Sequence, residues 1–235
     1  KIITSQIEHP AVMETCRKLA DDGFDVCYLD VDKAGAIKLE SLEDALDDNV
    51  ILVTLMTVNN ETGMIQPVVP AYDIVKTYNK EHGTNIVFHT DAVQAFGKMN
   101  LRNVPFDIIT ISGHKVHAPK GVGAMYMKSG LKLPTFIPGG GQESGYRSGT
   151  ENTHGIAGLG LATELAYDNL TEKQELLATL NNRLREGIIS ELDDIIVNGT
   201  TEMGFEISDY GKRCPSVLNI SFLGSRGEVI LHTLE

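Results

Sequence analysis

Cysteine is scarce in this sequence, with three residues in 235: Cys16, Cys27 and Cys214. The number is odd and no pair has Cys-x-x-Cys spacing, which argues against a disulfide framework and a zinc site and leaves small, reduced, hydrophobic thiols. Long apolar runs are absent too. Nothing approaches the roughly 20 residues that span a bilayer, and the opening "KIITSQIEHP" lacks the layout of a secretory signal, so no membrane partner is expected and cytoplasm is the default. Basic residues are outnumbered, 20 Lys and Arg against 32 Asp and Glu, for a net charge of -12. The acidic residues are spread along the chain and not gathered in a tail, which speaks against a nucleic-acid partner and for solubility. No Walker pattern, internal repeat or low-complexity tract is present.

What the chain does have is enough apolar material for a core, 42% of residues. Short apolar runs alternate with helical patterns. Ile2 to Ser5 reads as a strand, Pro10 to Ala20 as a helix with a proline at its start, "FDVCYL" as a strand, and "SLEDALDD" as a helix opened by a capping box of Ser41 with Asp44. Ile51 to Val58, Ile86 to Asp91 and Asp107 to Ser112 are near-continuous apolar strands separated by helix-length segments. That alternation predicts an α/β fold with a mainly parallel sheet buried on both faces. From Asn152 to Asn198 the pattern is helical almost throughout, with Leu177, Leu180, Leu184 and Ile188 on one stripe, and Ser216 to Phe222 alternates as a half-exposed strand. A large domain over 1–168 and the start of a smaller α+β domain over 169–235 are expected. The chain opens on Lys1 without Met and "EVILHTLE" stops inside a helical pattern, so a partial chain is expected, with both domains incomplete.

Ligands of open parallel sheets gather outside the carboxyl ends of the strands, so the residues just after each strand matter most. They are Asn59, Asn60 and Glu61 after the third strand, Asp91 and Gln94 after the fourth, and Ser112, His114 and Lys115 after the fifth. The set holds a carboxylate, a lysine and several hydrogen-bonding groups, with no metal-ligand spacing, and suits a covalently held organic cofactor. Pyridoxal phosphate needs a lysine for its imine linkage, a carboxylate to keep the pyridine nitrogen protonated so the ring draws electrons, and donors for its phosphate. Lys115, Asp91 and the Ser112–His114 pair would supply these.

The segments "EHPAV", "NNETG", "HTDAVQAFGK", "ISGHKVHAPKGVGAMY" and "GGGQESGYRSGTENTHGI" resemble the NifS/IscS-type cysteine desulfurases, over nearly the whole chain. The resemblance implies a fold-type I pyridoxal phosphate enzyme, of the class-V aminotransferase-like family, that acts as a homodimer. It implies conversion of L-cysteine to L-alanine, with the sulfur passed as an enzyme persulfide to an iron–sulfur scaffold or another sulfur-acceptor protein. Lys115 then binds the cofactor and, once released by substrate, becomes the catalytic base; Asp91 meets the pyridine nitrogen; Gln94 and Asn60 lie near the phenolic oxygen; and His9 stacks on the ring. Ser112 and His114 hold the phosphate, and Thr150, in "RSGT", is the phosphate contact donated across a dimer interface. The family's early Gly-Thr-Thr loop, its mobile cysteine loop and its C-terminal arginine have no counterpart in these residues. The nucleophilic cysteine is expected beyond Glu235, and Cys214 is not it.

Each of these residues also has a plainer use. Asp91 can cap a helix and His9 can mark a helix entry. His89 shares a strand face with Asp91 and either orients that carboxylate or packs. His82, His117, His154 and His232 carry no expected role. A related enzyme, a selenocysteine lyase or an aminotransferase, would keep Lys115 and Asp91, whereas a non-catalytic scaffold relative would hold no cofactor.

Overall fold

A computed structural model describes residues 1–102 and 104–235. Six strands form one sheet in the order β2-β1-β3-β4-β5-β6: β1 Ile2–Ser5, β2 Val26–Leu29, β3 Leu52–Met56, β4 Val87–Asp91, β5 Ile108–Ser112 and β6 Gly123–Met127. The first five are parallel to their neighbours and β6 pairs antiparallel with β5. The mainly parallel α/β architecture expected from the sequence is therefore present. A separate antiparallel pair joins β7 (Ile195–Val197) and β8 (Ile220–Phe222).

Local sequence explains where the helices start and stop. Helix α1 (Pro10–Asp21) begins with proline at its first position, where the missing N–H would have had no partner, and His9 caps it by accepting from the Ala11 amide through Nδ1 at 3.1 Å. Helix α3 (Val68–His82) buries Val68, Ala71, Tyr72 and Val75, the i, i+3, i+4, i+7 stripe of a helix lying on a sheet. It ends where Gly83 turns left-handed at φ 69°. The face of α3 meets Phe88 and Phe106 edge-on, with Tyr72 5.6 Å from each ring centroid, and these residues join Ile3, Val53 and Leu55 in the main core. A smaller core lies under α4 (Thr153–Tyr167), whose Leu159 and Ala162 pack on Val116 and Ala118.

Four expectations are corrected. Helix α2 spans Leu39–Ala45 and is capped by Lys38 without a side-chain bond, so Ser41 lies inside the helix and forms no capping box. Burial of Leu42, with Leu39 packed on the same core, draws the start forward. The long helical tract is broken at Asp168 and Asn169 into α4 and α5 (Leu170–Glu191) and gives way to β7. On α5 the stripe is not a buried face, since Leu180 and Leu184 are about half exposed; the buried positions are Gln174 and Asn181, whose amides donate to the Lys98 and Phe205 carbonyls and to those of Pro215 and Val217. Those last bonds also shorten the predicted 216–222 strand to β8, because the backbone at Pro215 and Val217 is held by α5 instead of by a neighbouring strand. The last helix, α6, covers Gly227–Leu234.

Candidate active site

The chain leaves β1 toward β2 on one side and later returns to place β3 on the other, so the strand order reverses at β1, and the crevice that such sheets use for ligands falls at the carboxyl ends of β1 and β3. Glu8 and His9 follow β1, Asn59 and Asn60 follow β3, and Asp91 ends β4. Strand register brings them level. Met56 pairs with Asp91, and Asp91 with Thr110, two residues before the end of β5.

Asp91 is buried, and its Oδ1 accepts from the Val93 amide at 2.9 Å. That bond closes an Asx turn into a series of turns, not a helix cap as the sequence allowed. Among the described residues no hydrogen bond engages Oδ2. Burial raises the Asp91 pKa, opposed by the Val93 N–H and by the charge of His9. A carboxylate held at one oxygen, with the other open, suits a cationic N–H partner.

Lys115 lies on a short 3-10 turn, Gly113–Val116, that continues directly from β5. It is exposed and enters no hydrogen bond or ion pair among the described residues. The turn demands glycine at 113: a Cβ there would stand 2.9 Å from the Val122 carbonyl oxygen, to which the Gly113 amide itself donates at 2.9 Å. Ser112 Oγ and His114 Nδ1 are 2.8 Å apart, so the two expected phosphate contacts are brought together. Lys115 lines an open cavity of about 730 Å³ with Lys98, His117, Lys173 and apolar residues of α4 and α5.

Two neighbours were given no role by the sequence reading. Lys98 Nζ donates to Gln94 Oε1 at 3.0 Å, and burial, with the Lys115 charge adding, lowers its pKa. Asn59 is buried and fixes the turn after β3: its Oδ1 accepts from the Glu61 and Thr62 amides, while its Nδ2 donates to the Ile7 carbonyl across the crevice at 3.1 Å. Asn60 donates to Glu61 at 2.8 Å. A lone Asn beside another Asn offers no signal for which one turns inward. Thr150 is exposed and makes no hydrogen bond among the described residues.

His89 does not orient Asp91. Its Nδ1 lies 2.7 Å from Thr54 Oγ1 and its Nε2 3.0 Å from Thr110 Oγ1, so the ring bridges β3, β4 and β5 on one face. Burial pushes its pKa down to about 4 and keeps it neutral.

Residues 1–234 match the family model described as aminotransferase class-V. The chain is 42% identical over 236 residues to a cysteine desulfurase IscS of Clostridium botulinum, covering 100% of this chain and 56% of the relative. It is 41% identical over 235 residues to a cysteine desulfurase of Nostoc, covering 99% of this chain and 55% of the relative. Among solved structures, a NifS-like protein superposes with a TM-score of 0.88 at 39% identity over 99% of this chain and 60% of that one. SspA in complex with cysteine gives 0.76 at 34% identity, over 99% and 60%. The chain thus spans somewhat over half the length of the relatives it matches.

Proposed function

The chain belongs to the class-V aminotransferase family, and on that premise we propose that the protein of which it forms part is a pyridoxal phosphate-dependent cysteine desulfurase, converting L-cysteine to L-alanine and passing on the sulfur as an enzyme persulfide. The observation that carries this reading is the placement at one sheet edge of a buried carboxylate, Asp91, and a lysine on a fixed turn, Lys115, that among the described residues has no partner. Both proteins named cysteine desulfurase share about two fifths of its residues, and the solved SspA carries cysteine.

The donor set fits the cofactor. Asp91 would face the pyridine nitrogen and keep it protonated, since a carboxylate beside a cation is stabilised in its charged form and in return raises the proton affinity of its partner. Ser112 and His114 would hold the phosphate, Gln94 and Asn60 would lie at the phenolic oxygen, and His9 would cover the ring while capping α1. Bound in this way, pyridoxal phosphate would supply an electron sink for the charge left when the substrate Cα proton is removed. Lys115 would hold the cofactor and then, as the free amine, carry the proton taken from Cα. Its mounting supports that exchange: among the described residues the amine has no competing partner.

Sulfur transfer needs an exposed, movable thiolate. Cys16 and Cys214 are buried and Cys27 lies within β2, which supports placing the persulfide thiol outside these residues. The assembly is proposed to be a homodimer in the cytoplasm, with Thr150 reaching the partner's phosphate site and an iron–sulfur scaffold or another acceptor protein taking the sulfur. The break between α4 and α5 supports a domain boundary at 168/169.

The test is Lys115→Ala in the complete protein. It should leave the fold intact while abolishing alanine release and the visible absorbance band that borohydride reduction removes. A Lys115→Ala protein that retains both would overturn the assignment. Alanine release with persulfide formation, against transamination or selenide release, separates this activity from the related enzymes.

A further inference from the structure

Three acidic side chains are buried among the described residues: Glu8, Asp91 and Asp107. Asp107 is accounted for at the opposite end of the sheet by Lys76 at 2.5 Å and by the Phe88 amide at 2.9 Å. Glu8 stands in the crevice and has no role in the chemistry above. Its Oε1 accepts from Ser5 Oγ at 2.7 Å and from the Met56 amide at 2.9 Å, while Oε2 is fully buried and has no hydrogen-bond partner among the described residues. Met56 is the residue of β3 in register with Asp91, and His9, whose charge acts on Asp91, is the next residue in the chain. The clamp therefore sits one strand away from the carboxylate proposed to meet the cofactor.

Among the described residues the groups that act on Glu8 are Ser5 from β1, Met56 from β3 and Asp91 from β4; Cys16 of α1 feels its charge, and His9 is next in the chain. None is a lysine or an arginine. Two carboxylates under one cover resist ionising together, and the proton goes to the one less well supplied with donors and positive charge. Asp91 has the Val93 N–H, the charge of His9 and, when loaded, a protonated ring nitrogen; Glu8 has a bare buried oxygen.

We propose that Glu8 is a positioning residue that acts through Asp91: buried with one oxygen bare, it stays a neutral acid in spite of the Ser5 and Met56 donors, so the single negative charge of the pair rests on Asp91, and when Glu8 does ionise a second charge appears behind Asp91 and tightens its hold on a proton. Burial pushes the Glu8 pKa up to about 7 against the pull of Ser5 and Met56, with the Asp91 charge adding, so the change falls in the neutral range. The coupling of the two carboxyls rests on the register that sets the Met56 clamp of Glu8 level with Asp91 and on the Asp91 charge acting on Glu8; its consequence for turnover rests on the proposed role of Asp91.

The experiment follows side-chain carboxyl carbons by carbon-13 NMR in the complete apoprotein, labelled at Glu and Asp, with Glu8→Gln and Asp91→Asn identifying the two signals. The Glu8 signal is expected to titrate near neutrality. Asp91→Asn removes the charge that Glu8 meets as it ionises and should lower the Glu8 midpoint by at least about half a pH unit, a shift that a purely structural role would not produce, while Glu8→Gln, neutral like the acid it replaces, should leave the Asp91 midpoint in place. Ser5→Ala, which removes one clamp donor, should move the Glu8 midpoint upward and gives an independent reading should Asp91→Asn fold poorly. A Glu8 midpoint in the ordinary carboxylate range, a Glu8 midpoint unmoved in Asp91→Asn, or a Glu8 midpoint unmoved in Ser5→Ala would each overturn the inference. Failure of the functional reading looks different: Asp91→Asn keeps full turnover while the two carboxyls remain coupled.

Discussion

Substitution of His89 by Gln tests whether a neutral ring bridges the central strands. The ring is hydrogen-bonded at both nitrogens by threonines, Thr54 and Thr110, and has no carboxylate partner, so protonating it would place a charge between strands with nothing to oppose it. Its pKa falls from the ordinary 6.5 to about 4 in the folded state. A group with a depressed folded pKa contributes stability above its unfolded pKa and loses it as pH falls toward the folded one. At 1.36 kcal/mol per unit, lowering the pH from 7.5 to 4.5 should remove about 2.5 kcal/mol through His89 alone. Glu8 acts in the opposite sense. Its pKa is raised, so it contributes stability at low pH that disappears as pH rises through about 7, and the two effects offset each other over the same window. The native protein should therefore show a deceptively flat response to mild acid from this pair. Urea unfolding of the apoprotein at pH 7.5 and 4.5 would separate the terms: relative to the native protein, His89→Gln should lose about 2.5 kcal/mol less on acidification, and Glu8→Gln should lose more, by a similar amount. Comparing the change with pH within each variant removes whatever the substitution costs at a single pH. If His89→Gln is as sensitive to acid as the native protein, the ring is not held neutral and the bridge is misassigned.

Asp91→Asn should retain the cofactor but slow Cα proton removal by at least about a hundredfold, measured as single-turnover alanine release, because an amide cannot hold a ring nitrogen protonated. Gly113→Ala should disrupt the lysine turn through its clash with Val122, seen as a lowered melting temperature together with loss of the visible band. Cys16→Ser, Cys27→Ser and Cys214→Ser should each keep near-normal persulfide formation; loss confined to a folded Cys214→Ser protein would make that buried thiol the nucleophile. Sedimentation of the loaded protein should give a dimer, and a fully active monomer would remove Thr150 from the site.

The parallel strands were legible because β1, β3 and β4 are largely covered, which writes mostly apolar runs into the chain: all four residues of β1 are buried. Asp91 and Lys115 were legible as polar residues placed immediately after such runs. The small-domain pattern misled for a physical reason. On α5 the amides of Gln174 and Asn181 turn inward to serve loop carbonyls, while Leu180 and Leu184 lie on the exposed side, so apolar periodicity reported the wrong face. Glu8 carried no signal either, since a glutamate before a helix start reads as a solvated charge; only the crevice between β1 and β3 shows that water is kept from it. The polar bridge through His89 needed strand register, which places Thr54 and Thr110 on either side of it and which no single segment encodes.

The lysine turn is tied at both ends by the pairing of β5 with β6. Ser112 is in register with Gly123, so the segment from Gly113 to Val122 leaves and re-enters the sheet at the same rung, stitched inside by the Gly113 bond to Val122 and by the Ala118 amide donating to Gly113. In the proposed role Lys115 would repeatedly make and release a covalent attachment, and that role gains from such a mount. The swing of the amine can be taken up by the four methylenes of one side chain, while the backbone beneath it stays pinned like the post of a gate, returning the nitrogen to the same place after each cycle. Stiffness at the post and freedom in the arm are thereby assigned to different atoms, and amide exchange in this segment should be as slow as in the strands that flank it.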